Sequence, residues 1–283
     1  MTHPTESPSR ALVLGGGGVT GIAWEVGVLA GLAAAGVDWS KATSVIGTSA
    51  GSFVGAAVAS GYDLERLFAA QFVADDNEVD AKASEATTQA WWAALEEGGD
   101  DPREVGAAMG RISKANPEPV PAAVRRRVVA TRLVTTDWPA VLKVTAIDAD
   151  TGELRLFDRH SGVALPDAVA ASGAVPGVWP LEHFHGRSWV DGGMVSTTNA
   201  RQAAGHDTII ILAPMPAGYG RIPGAAADAE WLAENADVQL IAPDERSVEA
   251  IGPNPYDPQR RTAAAHAGRA QGEAVAHQVS KLW

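Results

Sequence analysis

Val45-Ile46-Gly47-Thr48-Ser49-Ala50-Gly51-Ser52 is an apolar run that breaks into a Gly-x-Ser-x-Gly turn. Two readings fit it: a nucleophilic serine held on a sharp turn between a strand and a helix, or a serine in a small-residue turn. The flanks supply the strand and the helix. Residues 43–46 read as a buried strand, and the Ala/Val-rich segment after Gly51 reads as a helix that reaches Gly61. In such a turn the positions two residues either side of the serine must be small, so that strand and helix do not collide. Gly47 and Gly51 meet that demand, and Ala50 keeps the flank small.

The same pattern stands upstream. Ala11-Leu12-Val13-Leu14 is a short apolar run that opens into Gly15 to Gly18, and Ile22, Val26, Leu29 and Leu32 then recur at helical spacing over 21–35, with Gly36 as the stop. Gly16-x-Gly18-x-x-Gly21 matches a dinucleotide-binding fingerprint, which also requires an acidic residue at the end of the next strand. Asp38 follows the helix with only Gly36 and Val37 between, which leaves no room for that strand. A P-loop is excluded because no Gly-Lys-Ser/Thr follows the glycines. The remaining functional reading is an oxyanion site. Glycines at a helix N-terminus expose unblocked N–H groups in the positive end of the helix dipole. Two parallel strands side by side would bring Ser49 and the amides of Gly17 and Gly18 together.

Further along, residues 62–140 read as a largely helical insertion over the sheet, carrying an acidic stretch at 75–80, Trp91-Trp92, a turn-like segment at 96–102 and Arg125-Arg126-Arg127. Two strands are expected within 141–158 around the turn Asp150-Thr151-Gly152, followed by a helix over 167–172. A strand at 188–190 delivers Asp191-Gly192-Gly193 to a turn, and 208–212 and 238–241 read as further strands. A Pro/Asn-rich loop at 252–258 leads to a helix over 259–280. Residues 1–9 are expected to be a loose tail, 10–213 a catalytic core, and 214–283 a strand and helix on the same core.

Composition narrows the function. The 283 residues carry 22 Lys and Arg against 34 Asp and Glu, a formal charge of −12, which disfavours nucleic acid and long-range attraction to anionic membranes. Cysteine is absent, so disulfides, thiolate zinc sites and a cysteine nucleophile are excluded. The first ten residues lack the pattern of a signal peptide and no long apolar run follows, so a soluble, cytoplasmic protein is expected. The acidic clusters lack the ordering of a calcium loop, and neither a metal nor a cofactor is expected.

A serine nucleophile needs a base. Asp191 followed by His206 or His266 satisfies the chain order of a Ser-Asp-His hydrolase, but His206 abuts the 208–212 strand and His266 lies in the Ala-rich helix. His160, His183 and His185 precede Asp191, and the last two read as surface hairpin residues. Asp191 is better placed, after a strand and before two glycines that permit close approach.

Together, GGGVTG at 16–21, GTSAG at 47–51, ASGAVP at 171–176 and DGG at 191–193 resemble the patatin-like phospholipase family over roughly residues 10–213. The resemblance implies a three-layer α/β/α sandwich with a mainly parallel central sheet, and a lipid acyl hydrolase that uses a Ser-Asp dyad without histidine. It places the nucleophile at Ser49, the base at Asp191 and the oxyanion loop at Gly16, Gly17 and Gly18, with Gly21, Gly47, Gly51, Gly192 and Gly193 as motif glycines. It implies a lipid or fatty-acyl ester as partner, with transient membrane-surface contact. The family usually carries Lys or Arg where this chain has Thr20, so a fixed charge beside the oxyanion or a phosphate headgroup is missing. A non-catalytic acyl-binding protein on the same scaffold is the alternative. Trp91, Trp92, Trp138 and Trp179 are candidates for an acyl channel or lid as well as for core, and the arginine run 125–127 reads as a solvated helix face, with contact to an anionic headgroup as the alternative.

Overall fold

In the computed structural model, which describes residues 8–73, 79, 81–117 and 119–283, eight strands form one sheet. They are β1 (Arg10–Leu14), β2 (Ser44–Gly47), β3 (Leu142–Asp148), β4 (Leu154–Phe157), β5 (Glu182–Phe184), β6 (Arg187–Asp191), β7 (Thr208–Leu212) and β8 (Asp237–Ile241). The order is β5-β6-β3-β2-β1-β7-β8, with β4 paired to β3. β3, β2, β1, β7 and β8 run parallel, while β4, β5 and β6 enter through antiparallel pairs. The short apolar runs legible in the sequence are these parallel strands, which must be apolar on both faces because helices cover both.

Among the described residues, ten α-helices surround the sheet: α1 (Gly18–Ala34), α2 (Ala50–Ala59), α3 (Leu64–Ala70), α4 (Glu85–Gly98), α5 (Pro102–Ala115), α6 (Ala122–Arg132), α7 (Leu165–Ser172), α8 (Ala225–Ala233), α9 (Glu245–Ile251) and α10 (Arg261–Leu282). Strand alternation sorts them into two layers. Leu12, Leu14, Ile210 and Leu212 share a core with α1, α2, α7 and α10, whereas Ala11, Val13, Ile209 and Ile211 face Leu232 of α8. On that second face, Ile147 of β3 and Val190 of β6 pack against Val105, Ala108 and Met109 of α5. The result is the expected α/β/α sandwich.

The 62–140 insertion serves both layers: α3 packs on α1, α5 underlies β3 and β6, and α6 stacks on α7. Of its acidic stretch at 75–80, all but Val79 lies outside the described residues. So do residues 1–7 of the tail, while Ser9 is tied down by its N–H and hydroxyl, which donate to Asp207 Oδ2 at 2.7 and 2.8 Å.

The C-terminal helix meets α1 with backbones nearly touching. A methyl group on Gly27 would sit 2.1 Å from the Ala265 carbonyl oxygen, and one on Gly268 would sit 2.3 Å from that of Trp24. Gly27, Gly31, Gly268 and Gly272 therefore set the spacing of this helix pair. Two helices that the sequence reading did not separate, α8 and α9, fill the segment between β7 and α10. Among the described residues, no helix is long and apolar enough to cross a membrane.

Candidate active site

Ser49 caps α2 directly after β2 with φ 52° and ψ −115°, a left-handed φ that a side-chain-bearing residue rarely adopts. The turn is tight because Gly51 lies against β1, where a Cβ would fall 2.1 Å from the Leu14 carbonyl oxygen. Gly47 is equally constrained, with its Cβ position 2.6 Å from Ser52 Cα. The strain is sustained by hydrogen bonds: Ser49 N–H donates to Ser172 Oγ at 2.8 Å, and Gly51 N–H donates to the Gly15 carbonyl at 2.9 Å. Serine at this position thus follows the pattern of backbone strain concentrated at functional sites.

Asp191 ends β6, and the register of β3 explains its position. β4 takes one edge of β3 over Val144 to Ile147, so β2 and β6 share the other edge. β2 is parallel to β3 and reaches Val144 with Gly47; β6 is antiparallel and reaches Ala146 with Asp191. Their C-terminal ends therefore converge. Ser49 Oγ donates to Asp191 Oδ2 at 2.7 Å, and Gly193 N–H donates to Asp191 Oδ1 at 2.6 Å. Gly192 permits the turn, since a Cβ there would lie 2.4 Å from Thr145 Oγ1.

Burial pushes the Asp191 carboxyl up to about 6, against the lowering effects of the Gly193 N–H, the Ser49 hydroxyl and the Arg125 charge. The side chain is almost wholly removed from water, and the loss of hydration of the carboxylate outweighs its two hydrogen bonds. An aspartate so placed is a much better base than one in water.

Beneath the pair lies a buried polar cluster. Asn199, in a left-handed conformation at φ 51°, donates through Nδ2 to Thr48 Oγ1 at 3.0 Å and to the Gly192 carbonyl at 2.9 Å. Thr48 and Thr145 hydroxyls meet at 2.9 Å. This cluster ties the residue before Ser49 to the residue after Asp191. The sequence reading missed it, as it missed Ser172, although Ser172 stands inside the quoted 171–176 segment.

The three loop glycines divide. Gly16 N–H already donates to the Thr197 carbonyl at 2.7 Å, and its α-carbon side faces Ser49, 3.4 Å from Cβ to Cβ position. Among the described residues no protein acceptor takes the N–H of Gly17 or Gly18. Both stand at the N-terminus of α1, where the dipole favours negative charge. Their lack of side chains is required: a Cβ on Gly17 would be 2.6 Å from Pro214 Cβ, and one on Gly18, at φ 60°, 2.4 Å from the Pro255 carbonyl oxygen. Thr20 bonds the same carbonyl through its N–H at 3.1 Å, so the 252–258 loop is fastened over the glycine loop. Gly21 continues the helix, its N–H donating to the Gly17 carbonyl at 2.8 Å.

A cavity of about 790 Å³ opens on Ser49, Asp191 and Gly16 to Gly18, with Trp91, Trp92, Leu95, Met109, Met194 and Tyr219 among its apolar lining. Trp91 Nε1–H donates to the Pro176 carbonyl at 3.1 Å, which fixes its ring. Trp138 instead packs against the main core, its Nε1–H donating to the Val163 carbonyl at 2.7 Å. Trp179 lines a second cavity with Arg125 above its ring at 4.6 Å. The expectation of a solvated arginine face holds for Arg126 and Arg127 and fails for Arg125, which is 2% exposed because the helix turns that position inward onto α7.

Among the described residues no histidine lines either cavity. His206 pairs through Nδ1 with the Ala203 carbonyl at 2.8 Å, and His266 stacks on Phe72 at 4.7 Å. His183 and His185 are hairpin residues beside Ser188 and Gly162. Among the described residues no group of three or more acidic or histidine side chains is arranged to hold a metal ion.

The family model described as Patatin-like phospholipase matches residues 12–204. Among solved structures, VipD from Legionella pneumophila is similar at 13% identity and TM-score 0.48, over 96% of this chain and 67% of that one. The type III effector protein ExoU is similar at 16% identity and TM-score 0.45, over 96% of this chain and 53% of that one. ExoU of Pseudomonas aeruginosa in complex with SpcU gives 18% identity and TM-score 0.44, over 97% and 53%. The chain thus spans about half the length of ExoU. No curated protein sequence matches it.

Proposed function

The chain belongs to the patatin-like phospholipase family, a family of hydrolases acting on lipid ester bonds, and from that premise we propose that it cleaves fatty-acyl esters through a Ser49–Asp191 dyad. The observation that carries this reading is the 2.7 Å hydrogen bond from Ser49 Oγ to a buried carboxylate whose basicity burial has raised.

In the first half-reaction Asp191 Oδ2 takes the Ser49 proton as Oγ attacks the ester carbonyl carbon. The oxyanion forms within reach of the Gly17 and Gly18 N–H groups, which replace water at the developing charge without having to reorient. Collapse of the tetrahedral adduct breaks the C–O bond, and Asp191 returns the proton to the departing alcohol. Water then enters, Asp191 removes its proton, and attack on the acyl-Ser49 ester releases the carboxylic acid and restores the hydroxyl. Gly193 holds Oδ1 throughout, which keeps Oδ2 directed at Ser49. The apolar cavity beside the dyad suits the acyl chain, since burying each methylene contributes about 0.8 kcal/mol.

The test is hydrolysis of p-nitrophenyl esters of increasing chain length, with fluorophosphonate labelling of Ser49. Wild-type turnover and labelling that both vanish in Ser49→Ala are expected. A folded protein that binds fatty acyl chains but neither turns over nor labels is an acyl binder, which overturns the reading. Large losses from His206→Ala or His266→Ala would return the histidine-dependent triad.

A further inference from the structure

The wall of the cavity at Ser49 carries hydroxyls besides that of the nucleophile. Thr88 donates to the Ser84 carbonyl at 3.1 Å and Thr197 to the Met215 carbonyl at 2.8 Å. The hydroxyls of Tyr219 and Tyr256 have no partner among the described residues. Both tyrosines lie beyond residue 204, where the match to the family model ends. A hydroxyl withdrawn from bulk solvent is rarely left unpaired, so these two are open to a water or a ligand in the cavity.

Tyr256 is the better placed. Its backbone is fastened over the glycine loop: Asn254 Oδ1 accepts its N–H at 3.1 Å, and the Pro255 carbonyl accepts the Thr20 N–H at 3.1 Å. Its ring lies against the start of α1, with Cδ1 3.2 Å from where a Cβ on Gly18 would sit. Gly18, the Ser49 hydroxyl and the Tyr256 phenol thus border one space. Burial, and after it the Asp191 charge, push the ionisation of both phenols upward. Tyr256 therefore still carries its proton when Asp191 has lost its own, and remains a donor.

One reacting oxygen is poorly provided for by the dyad and the glycine loop. The Gly17 and Gly18 amides serve the carbonyl oxygen, whereas the departing alcohol oxygen gains negative charge with only Asp191 to meet it. Resting on the ester-hydrolase reading above, we propose that Tyr256 is a further catalytic residue, whose hydroxyl donates a hydrogen bond to the departing alcohol oxygen of the ester. The phenol keeps its proton throughout. As the acyl C–O bond of the tetrahedral adduct breaks, its electron pair passes to the alcohol oxygen, and the proton which that oxygen retains is the one Asp191 took from Ser49. In deacylation the attacking water occupies the same position.

The dependence on leaving group tests this. An alkoxide needs a donor, while p-nitrophenolate spreads its charge into the ring, so the loss on removing the donor grows with the basicity of the alcohol. The measurement is kcat/KM, which reports the steps through alcohol release, for ethyl, trifluoroethyl, phenyl and p-nitrophenyl butanoate. Tyr256→Phe should fold as the wild type does, because the hydroxyl has no protein partner. It is expected to lower the value about 30-fold or more for the ethyl ester and about 3-fold or less for the p-nitrophenyl ester, with the others between. A loss equal across the series overturns the proposal, since an oxyanion donor or a merely structural group gives that pattern; so does no loss at all. The graded pattern in Tyr219→Phe but not in Tyr256→Phe overturns it as well. Wild-type turnover of p-nitrophenyl butanoate that vanishes in Ser49→Ala reports on the dyad separately. Its absence sinks the hydrolase reading and this proposal together, whereas Ser49-dependent turnover with a uniform loss in Tyr256→Phe sinks the role of Tyr256 alone.

Discussion

Ser49 and Asp191 are 142 residues apart in sequence and 2.7 Å apart in space, because β2 and β6 approach each other end to end along one edge of β3. Val144 pairs with Gly47 and Ala146 with Asp191, so the register of β3 measures the gap between the two side chains. A slip of β6 would move the carboxylate away from the hydroxyl and turn its side chains to the opposite face.

Asp191→Asn is expected to lower kcat/KM by about 10³-fold, within the usual range for loss of a general base. The same substitution should stabilise the fold at pH 8. A carboxyl whose folded pKa is raised to about 6 favours folding fully below its unfolded value near 3.8, and that contribution is lost as pH rises through about 6. Removing it is expected to gain about 3 kcal/mol at pH 8 and little at pH 3.5. Urea unfolding of both proteins at the two pH values checks the sign.

The rate should follow the same ionisation. Asp191 accepts a proton only as the carboxylate, so kcat/KM is expected to rise as pH increases through about 6 and then level off. A pH-rate profile with a neutral ester measures this, and an ascending limb near pH 4 would mean the carboxylate is hydrated during turnover.

Gly17→Ala is expected to cost about 10²-fold in kcat while leaving the circular dichroism spectrum unchanged. Its φ of 172° is accessible to alanine, but the new methyl group would press on Pro214 at 2.6 Å and shift the two free N–H groups. Steady-state kinetics should show the loss in kcat more than in KM.

Asn199→Ala is expected to destabilise the protein by about 2–3 kcal/mol, because Thr48 and the Gly192 carbonyl lose a buried donor together. Turnover of the folded fraction should fall as well, since the cluster sets the positions of the two residues that flank the dyad. Thermal unfolding and kinetics on one sample separate the two effects.

Much of this was legible along the chain. β7 spans 208–212 as its apolar run predicts, and the paired strand–glycine–helix units become β1-α1 and β2-α2 side by side. These segments are local: an apolar run bounded by glycine can be little else when helices cover both faces of a sheet. Arg125 was misread for the opposite reason. Within Arg125-Arg126-Arg127 the three side chains are alike, and only the contact of α6 with α7 buries the first of them. Asn199 carried no pattern at all, since its partners, Thr48 and Gly192, come from distant segments.

The sequence by itself determined which residues could do chemistry: small residues around Ser49, consecutive glycines at a helix start, and an aspartate followed by two glycines are demands of backbone geometry, and they are met within a few positions. Tertiary structure alone decided what those residues became. Burial beneath the sheet ends sets the basicity of Asp191, a carbonyl from Thr197 removes Gly16 from the free donors, and α6 brings Arg125 to the same cavity as Ser49. Desolvation and hydrogen-bond competition depend on everything packed around a group, and most of that comes from elsewhere in the chain.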